Sequence, residues 1–430
     1  MNYYKRTADA LLQDLLDAFG AVLIEGPKWC GKTTTASQLA NSILRMQDPS
    51  MREEYLATAK TKPSILLKGD TPRLIDEWQD APMLWDAVRT TVDDRQIPGQ
   101  FILTGSNAVD KSQIHHSGAG RIARLRMLPM SLWESQESTG EVSLKELFNN
   151  PDYDIDGKMS KMTVEDLIFA ASRGGWPASL LARTPKAQLL VAKNYVQTIC
   201  SDDVSGIDGK KRDAKLTSMI LRAYARNVST LVKKKSLLDD VTSSGEVSCH
   251  VDTFDDYVSA LEKLFVIQNI SAWCPAIRSK TAIRSSVKRC FCDPSIPIAL
   301  LGLSPESLSM QLRTFGFIFE QMCIRDLKAY TIDLNSHVSY YHDRYDLEAD
   351  IVLHLEDGRY ALIECKLGSS EIDEGAKHLL ELKRLIQEHN KTEKQVPIRE
   401  PDLLIVITGG TMAYSRPDGV KVIPLACLKD

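Results

Sequence analysis

The sequence predicts an α/β protein whose first domain is built on a parallel sheet. Ala21–Glu25 is a short apolar run typical of a buried strand, and a helix pattern begins near Lys32. A glycine-containing loop joins the two, and two further apolar strand patterns end in acidic or small polar residues. Strands that alternate with helices in this way are typical of parallel sheets covered by helices.

The loop after the first strand fits the phosphate-loop pattern G-x-x-x-x-G-K-[ST] at every required position. Glycines let the backbone approach a phosphate without a Cβ clash, and the N–H groups at the helix start point toward the anion. We therefore expect ATP to bind here, with Lys32 at the β- and γ-phosphates and Thr33 at Mg²⁺. The predicted nucleotide-binding residues of the loop are Gly26, Pro27, Lys28, Trp29, Cys30, Gly31, Lys32, Thr33 and Thr34. The alternative is a strand–helix turn without a ligand.

Two later strands supply the other half of the predicted nucleotide site. Asp76 and Glu77 follow an apolar strand pattern; Asp76 would bind Mg²⁺, and Glu77 would activate the attacking water. The strand pattern 101–105 is followed by Ser106 and Asn107, either of which could sense the γ-phosphate or the water. The alternative for this last pair is a polar turn at the end of a strand.

Arg121 is the candidate for an arginine that stabilises the transition state, because it follows a short glycine-containing segment. A structural ion pair is an equally good interpretation. In an oligomer, Arg121 would act on the nucleotide of a neighbouring copy.

Length, composition and net charge limit the number of domains and the partners that can be expected. The chain has 430 residues, 43% of them hydrophobic, and a net charge of −4, which suggests two to four globular domains and no chain-wide attraction to nucleic acid. It has no apolar run long enough to span a bilayer, so we expect no membrane partner. The nine cysteines are scattered without a C-x-x-C pair, which indicates reduced thiols in a cytoplasmic protein.

The middle of the chain reads as helical, following a polar stretch at 140–160 that we interpret as a linker. Helix patterns precede two strand patterns at Val266–Ile270 and Arg289–Asp293, which is the plan of a winged helix. The segment between these strands is basic and has no acidic residue from Cys274 to Cys292. Its cations would contact the phosphates of DNA, although such a run is also compatible with a solvated surface. They are Arg278, Lys280, Arg284 and Lys288.

The last part of the chain predicts a small α/β domain with a second polar constellation. Glu364 and Lys366 alternate along one strand pattern and would share a face, and Asp350 lies on the neighbouring strand. Two carboxylates suit Mg²⁺, and the ammonium could activate water or stabilise the pentavalent phosphorus. The alternative is an edge strand with solvated charges.

Several segments taken together resemble one group of proteins. They are Ile24–Thr34, Leu74–Gln79, Leu103–Ser106, Arg124–Ser131, Gly174–Pro177 and Ala260–Phe265. They resemble the AAA-type ATP-binding proteins of bacteria and archaea that carry an uncharacterised C-terminal domain, and the resemblance spans nearly the whole chain. It implies a P-loop ATPase domain at 1–140, a helical, winged-helix-like domain at 141–305 and a domain similar to the PD-(D/E)xK (restriction-endonuclease-like) nucleases at 306–430. Glu320 matches the helical acid of those nucleases, which would make it a metal ligand beside Asp350 and Glu364.

Two functions follow as hypotheses. The first is an ATPase coupled to a DNA-binding and metal-dependent DNA-cleaving C-terminal domain. The second is a nucleotide-controlled switch or scaffold whose nuclease-like domain is catalytically dead. Hydrolysis of ATP is compatible with both, whereas metal-dependent nicking of DNA separates them.

Overall fold

The first sheet has five parallel strands in the order β2-β3-β4-β1-β5. The computed structural model describes residues 3–106, 117–243, 245, 247–274, 286–392 and 397–430. The strands are β1 Ala21–Glu25, β2 Ser42–Arg45, β3 Arg73–Asp76, β4 Phe101–Gly105 and β5 Ile122–Arg126. Since all of them run in one direction, the carboxyl ends of β1, β3 and β4 meet at one edge, where ligands of open α/β sheets bind. The predicted parallel sheet is confirmed.

Helices cover both faces of this sheet. They are α1 Ala8–Ala18, α2 Lys32–Leu39, α3 Arg52–Thr61 and α4 Met83–Arg95. Leu12 of α1 is buried with Ile24 of β1, whereas Trp85 of α4 is buried with Leu23 on the opposite face. The strand predicted near 65–67 is wrong, because Pro63–Ile65 forms a 3₁₀ turn and the missing strand is β2.

The stretch expected to be a linker is folded. It forms β6 Val142–Ser143 and α5 Leu144–Asn149, and Leu147 and Phe148 are buried. Strand β6 pairs in parallel with β13 Leu428–Lys429 at the end of the chain. A partner so distant in sequence leaves no local signal, which is why polarity alone suggested a loop.

The middle of the chain is mainly helical. Its helices are α6 Val164–Arg173, α7 Pro177–Leu180, α8 Pro185–Thr198, α9 Val204–Gly206, α10 Ala214–Arg226, α11 Lys234–Thr242, α12 Val251–Lys263, α13 Ser295–Leu300 and α14 Pro305–Ser309. The expected two-stranded ribbon of a winged helix is reduced, in the described residues, to isolated antiparallel bridges between Ile267 and Phe291 and between Ile270 and Lys288. Arg278, Lys280 and Arg284 of the predicted basic segment lie outside the described residues.

A second, mixed sheet forms the C-terminal part, with the order β11-β12-β10-β9-β8-β7. Its strands are β7 His337–His342, β8 Glu348–His354, β9 Tyr360–Lys366, β10 Leu403–Thr408, β11 Tyr414–Ser415 and β12 Lys421–Pro424. Strands β7, β8 and β9 are antiparallel, whereas β9, β10 and β12 are parallel. Helix α15, Leu312–Tyr330, packs on one face and α16, Ile372–Thr392, on the other.

One hydrophobic core is shared by the helical middle and the C-terminal sheet. Buried Trp176 and Ile220 of the middle belong to the same cluster as Phe319 of α15 and Ile363 of β9. These two parts of the chain are therefore packed together rather than joined as separate bodies. Among the described residues, no helix has both the length and the apolar character needed to cross a membrane.

Candidate functional site

The phosphate loop has the backbone conformation that its sequence pattern predicts. Gly26 and Gly31 have φ values of 153° and 101°, in the region that favours glycine. A Cβ atom on Gly26 would lie 2.3 Å from the carbonyl oxygen of Met127. Any larger residue at position 26 would therefore push the loop away from the segment that contains Met127.

Lys32 points back into the loop. Its ammonium donates to the carbonyl oxygens of Gly26 at 3.0 Å and Pro27 at 2.8 Å, and the residue is buried. The ammonium thus lies within the loop that follows β1, where it would contact a bound phosphate. The phosphate-binding role of Lys32 stays a prediction.

Asp76 and Thr33 meet at the carboxyl edge of the sheet. The hydroxyl of Thr33 donates to Oδ1 of Asp76 at 2.7 Å, and Thr104 of β4 donates to the same oxygen at 2.6 Å. Hydroxyl and carboxylate oxygens are ligands that Mg²⁺ accepts, so the residues fit that ion. Thr104 was not predicted as a site residue. It lies beside Asp76 because the parallel register of β3 and β4 pairs these two residues.

Glu77 lies beside the predicted sensor. It has a left-handed backbone with φ of 54°, and its Oε2 accepts hydrogen bonds from Ser106 at 3.2 Å and from the amide of Gln79. Asn107, the other sensor candidate, lies outside the described residues. The carboxylate is therefore held next to the phosphate loop by residues at the ends of β3 and β4.

The cleft around these residues continues onto the helical middle. Its volume is about 1200 Å³, and Lys32, Thr33 and Glu77 line one side. The other side includes Leu181 and Asn194. A nucleotide bound to the loop would consequently touch both parts of the chain.

Arg121 lies at the wrong end of the sheet to act on the nucleotide of its own chain. Its carbonyl oxygen accepts a hydrogen bond from Ala21, the first residue of β1, whereas the phosphate loop follows Glu25 at the other end. Its guanidinium pairs with Asp93 at 2.7 Å. The structural ion pair, which was the alternative interpretation, is what the geometry shows within one chain.

Sequence reasoning missed Arg6, which supports the phosphate loop from behind. Its buried guanidinium donates to the carbonyl oxygens of Cys30 at 2.8 Å and Leu128 at 2.7 Å, and pairs with Glu134 at 3.0 Å. Nothing in the local sequence around Arg6 indicates this contact. Arg6 and Cys30 are 24 positions apart in the sequence, and the fold brings them into contact.

The loop also contacts the helical middle directly. Lys28 Nζ lies 2.6 Å from Oδ1 of Asp203, and the ring centroids of Trp29 and Tyr195 are 5.7 Å apart. Asp203 is separated from Lys28 by 175 positions, so no sequence pattern connects them. Two residues of the phosphate loop therefore bind the helices that form the other side of the cleft.

A second polar cluster lies at the end of β9. Nζ of Lys366 lies 2.9 Å from Oε2 of Glu364, and Nδ1 of His378 on α16 lies 3.7 Å from Oε1. Glu348 at the start of β8 completes a group whose candidate metal ligands lie within 4.8 Å of one another. Burial and repulsion from Asp350 raise the pKa of Glu364. Burial alone would lower the pKa of Lys366, but Glu364 raises it, so this ammonium stays charged.

Glu320 is held by a lysine rather than joined to this cluster. The ammonium of Lys288 pairs with Oε1 of Glu320, donates to the carbonyl oxygen of Asp350 at 3.0 Å and lies 3.7 Å from Oδ1 of that residue. Oδ2 of Asp350 accepts the N–H of Cys365 at 2.9 Å. The expected grouping of Glu320 with Asp350 and Glu364 around one metal is thus replaced by an ion pair, because a buried acid needs a nearby cation. Lys288, predicted to face DNA, is itself buried.

Comparisons with known proteins match the part of the chain that contains the phosphate loop. A family model described as an AAA domain matches residues 18–136. Two models described as domains of unknown function, DUF8612 and DUF4143, match residues 164–307 and 315–428. The sheet order, the phosphate loop and the family match together support a P-loop ATPase fold of the AAA type in the first third of the chain.

Two relatives that match most of the chain are each described only as an uncharacterized protein. An uncharacterized protein of Mycobacterium tuberculosis and one of Mycobacterium bovis are each 24% identical over 366 residues, which cover 83% of this chain and 72% of theirs. Among solved structures, the Walker-type ATPase PABY2304 of Pyrococcus abyssi is similar with a TM-score of 0.41 and 12% identity. The match covers 70% of this chain and 96% of that one.

Proposed function

We propose that the protein hydrolyses ATP in the cleft between the first sheet and the helical middle. The observation that carries the proposal is the hydrogen bond between Thr33 and Asp76, which joins the two expected Mg²⁺ ligands across neighbouring elements. Mg²⁺ bound with the nucleotide would supply charge neutralisation at the phosphates. Lys32 would bind the phosphates, and loop N–H groups would orient them.

Glu77 is the proposed general base of this reaction. A carboxylate accepts a proton from water and orients its lone pair toward the phosphorus. The hydrogen bond from Ser106 keeps the carboxylate at the end of the sheet where the γ-phosphate is expected, which supports this role. Ser106 is the corresponding candidate sensor.

For the C-terminal domain we propose DNA binding and metal-dependent cleavage. Glu364 and Lys366 lie together on β9, and Asp350 hydrogen-bonds the backbone between them. A metal held by the carboxylates would polarise a phosphate, and Lys366 would stabilise negative charge beside it. Asp350, Glu364 and Lys366 are the proposed residues of this site, and Mg²⁺ or Mn²⁺ its ion.

The second candidate function is a nucleotide-controlled switch with an inactive nuclease-like domain. The position of Lys288 favours this inactive form. Its buried ammonium pairs with Glu320 and Asp350, whereas an active nuclease of this type would need these carboxylates to bind a metal. The pairing of Lys28 with Asp203 favours a switch as well, because it ties the phosphate loop to the helical middle.

Two assays on the full-length chain test the proposal. ATP hydrolysis in Mg²⁺ should be measurable, and Lys32→Ala should abolish it together with binding of a fluorescent ATP analogue. Supercoiled DNA should be nicked in Mg²⁺ or Mn²⁺, with EDTA and Asp350→Ala each stopping the reaction. Hydrolysis without any nicking would leave the switch as the function, and unchanged analogue binding by Lys32→Ala would reject the nucleotide site.

A further inference from the structure

Glu348, Glu364 and His378 form a cluster of mixed oxygen and nitrogen donors. They come from the start of β8, the end of β9 and the second turn of α16. One ligand atom from each lies within 4.8 Å of the others. Around a single ion, ligands with bonds of about 2.1 Å are separated by at most about 4.2 Å. Small side-chain rotations would therefore bring the three onto one ion.

The buried member of the cluster is poorly satisfied without an ion. Glu364 is 0% exposed, and among the described residues its carboxylate accepts no hydrogen bond of normal geometry, although the ammonium of Lys366 lies 2.9 Å from Oε2. Nδ1 of His378 is buried and lies 3.7 Å from Oε1 of Glu364, which is too long for a hydrogen bond. A buried carboxylate whose oxygens lack hydrogen bonds is costly, and an ion pair with Lys366 at 2.9 Å offsets the charge on one side only.

We propose that Glu348, Glu364 and His378 bind a divalent first-row transition metal of the Mn²⁺ or Zn²⁺ class. The imidazole argues against Mg²⁺, which prefers a shell made of oxygens, whereas transition-metal ions also accept nitrogen ligands, Zn²⁺ more readily than Mn²⁺. Two carboxylates balance the charge of one such ion. The role of the site rests on the proposed nuclease-like function, but its existence does not.

The surroundings fit this assignment. Two ammonium groups, those of Lys288 and Lys366, face the four carboxylates of Glu320, Asp350, Glu348 and Glu364, so a formal excess of two negative charges is left for a divalent ion to balance. The side chain of His378 is 25% exposed, which gives an ion a path from solvent to the buried carboxylate. Lys366 stands next to the cluster and would hold an anionic group, such as a phosphate, beside the metal.

The test measures binding of the metal alone to the nucleotide-free, EDTA-treated full-length protein. Free Mn²⁺ is followed by electron paramagnetic resonance, with Mg²⁺ as competitor. We expect one Mn²⁺ that Mg²⁺ displaces poorly. His378→Gln and Glu348→Gln should each weaken binding at least about tenfold, because even the outer partners of metal ligands are worth about 10–100-fold. His378→Gln should also reduce the preference for Mn²⁺ over Mg²⁺.

His389→Gln is the matched control, since His389 is exposed on the same helix three turns farther on. It should bind Mn²⁺ like the parent chain. Both ligand substitutions are at partly exposed positions, and circular dichroism will verify that each variant folds. Mn²⁺ binding that is absent in the parent chain, or equal in the parent and both ligand variants, would overturn the assignment.

Because no nucleic acid is present, the outcome is separate from that of the cleavage assay. Tight Mn²⁺ binding without nicking would support the metal site and reject the nuclease. Nicking that does not depend on His378 would support the nuclease and reject this set of ligands.

Discussion

Lys28 of the phosphate loop and Asp203 of the helical middle form an ion pair with 2.6 Å between Nζ and Oδ1. The side chain of Asp203 is 7% exposed and that of Lys28 is 38% exposed, so the aspartate is fixed in the fold and the lysine reaches to it. Phosphates bound to the loop would attract the same ammonium. A nucleotide bound to the loop would therefore compete with Asp203 for Lys28, and we propose that the helical middle responds to the occupancy of the cleft through this pair.

Removing the competing carboxylate should tighten nucleotide binding. Asp203→Asn keeps the shape of the side chain but leaves Lys28 free for phosphate. Since partly exposed ion pairs are worth about 0–1 kcal/mol, the gain in affinity should be at most about fivefold. Titration with a fluorescent ATP analogue measures it. Asp202→Asn, at the exposed neighbouring position, is the control and should change nothing. Weaker binding by Asp203→Asn would mean that the pair organises the loop instead.

Glu77→Gln should separate binding from hydrolysis. The amide can accept the hydrogen bond from Ser106 but is a poor base, so analogue binding should stay near the parent value. The rate of hydrolysis should fall by about 10²–10⁴, the usual contribution of a general base. Phosphate release at saturating ATP measures the rate. A variant that turns over at the parent rate would assign the base to another group.

The nucleotide site could be predicted from the sequence because its parts are short and local. A glycine loop after one strand and an acidic pair after another must meet when the strands are parallel, and the contact between Thr33 and Asp76 follows. The regular elements of the C-terminal sheet were predictable for a similar reason. Their apolar patterns are strong enough to fix the strands and the long helices.

The contacts between parts of the chain could not be predicted. Lys288 was predicted to be a DNA-contacting cation, yet it is buried against Glu320, because the fold brings this residue against helix α15. The roles of Asp203 and Arg6 could not be predicted, since each contacts a phosphate-loop residue that is distant in the sequence. Charge patterns predict surfaces well, but a charge that is paired across domains looks the same in sequence as a solvated one.

The pair of Lys288 and Glu320 should stabilise the fold as a unit. Burial alone would lower the pKa of Lys288, but Glu320 and Asp350 raise it above its ordinary value, so the lysine stays charged. Lys288→Met leaves two acids without their cation and should cost about 3–5 kcal/mol of unfolding free energy. The double variant with Glu320→Gln should recover part of this loss. Chemical denaturation of the four proteins in the cycle gives the coupling energy, and additive effects would show that the two groups act independently.

Glu134 pairs with Arg6, which donates a hydrogen bond to the phosphate loop. The stability that this ion pair contributes should fall in acid. Burial acts to raise the pKa of Glu134, but the Arg6 guanidinium and the backbone N–H of Ser131 outweigh it and lower the pKa below 4.5. A carboxylate whose pKa is lower in the folded than in the unfolded state contributes stability above the unfolded value. That contribution is present above pH 4.5 and is lost as the pH falls through the folded pKa.

The substitution Glu134→Gln removes this dependence. Near neutral pH it should lower the unfolding free energy by about 3–5 kcal/mol, because Arg6 is left buried without its partner. Urea denaturation of the parent and the variant, repeated from pH 7 to about pH 3.5, should give curves that converge as the pH falls through the folded pKa of Glu134. Glu53→Gln, at an exposed position of α3, is the control and should run parallel to the parent at every pH. A difference between Glu134→Gln and the parent that stays constant down to the lowest pH would show that hydrogen-bond geometry, and not the charge of Glu134, stabilises the loop.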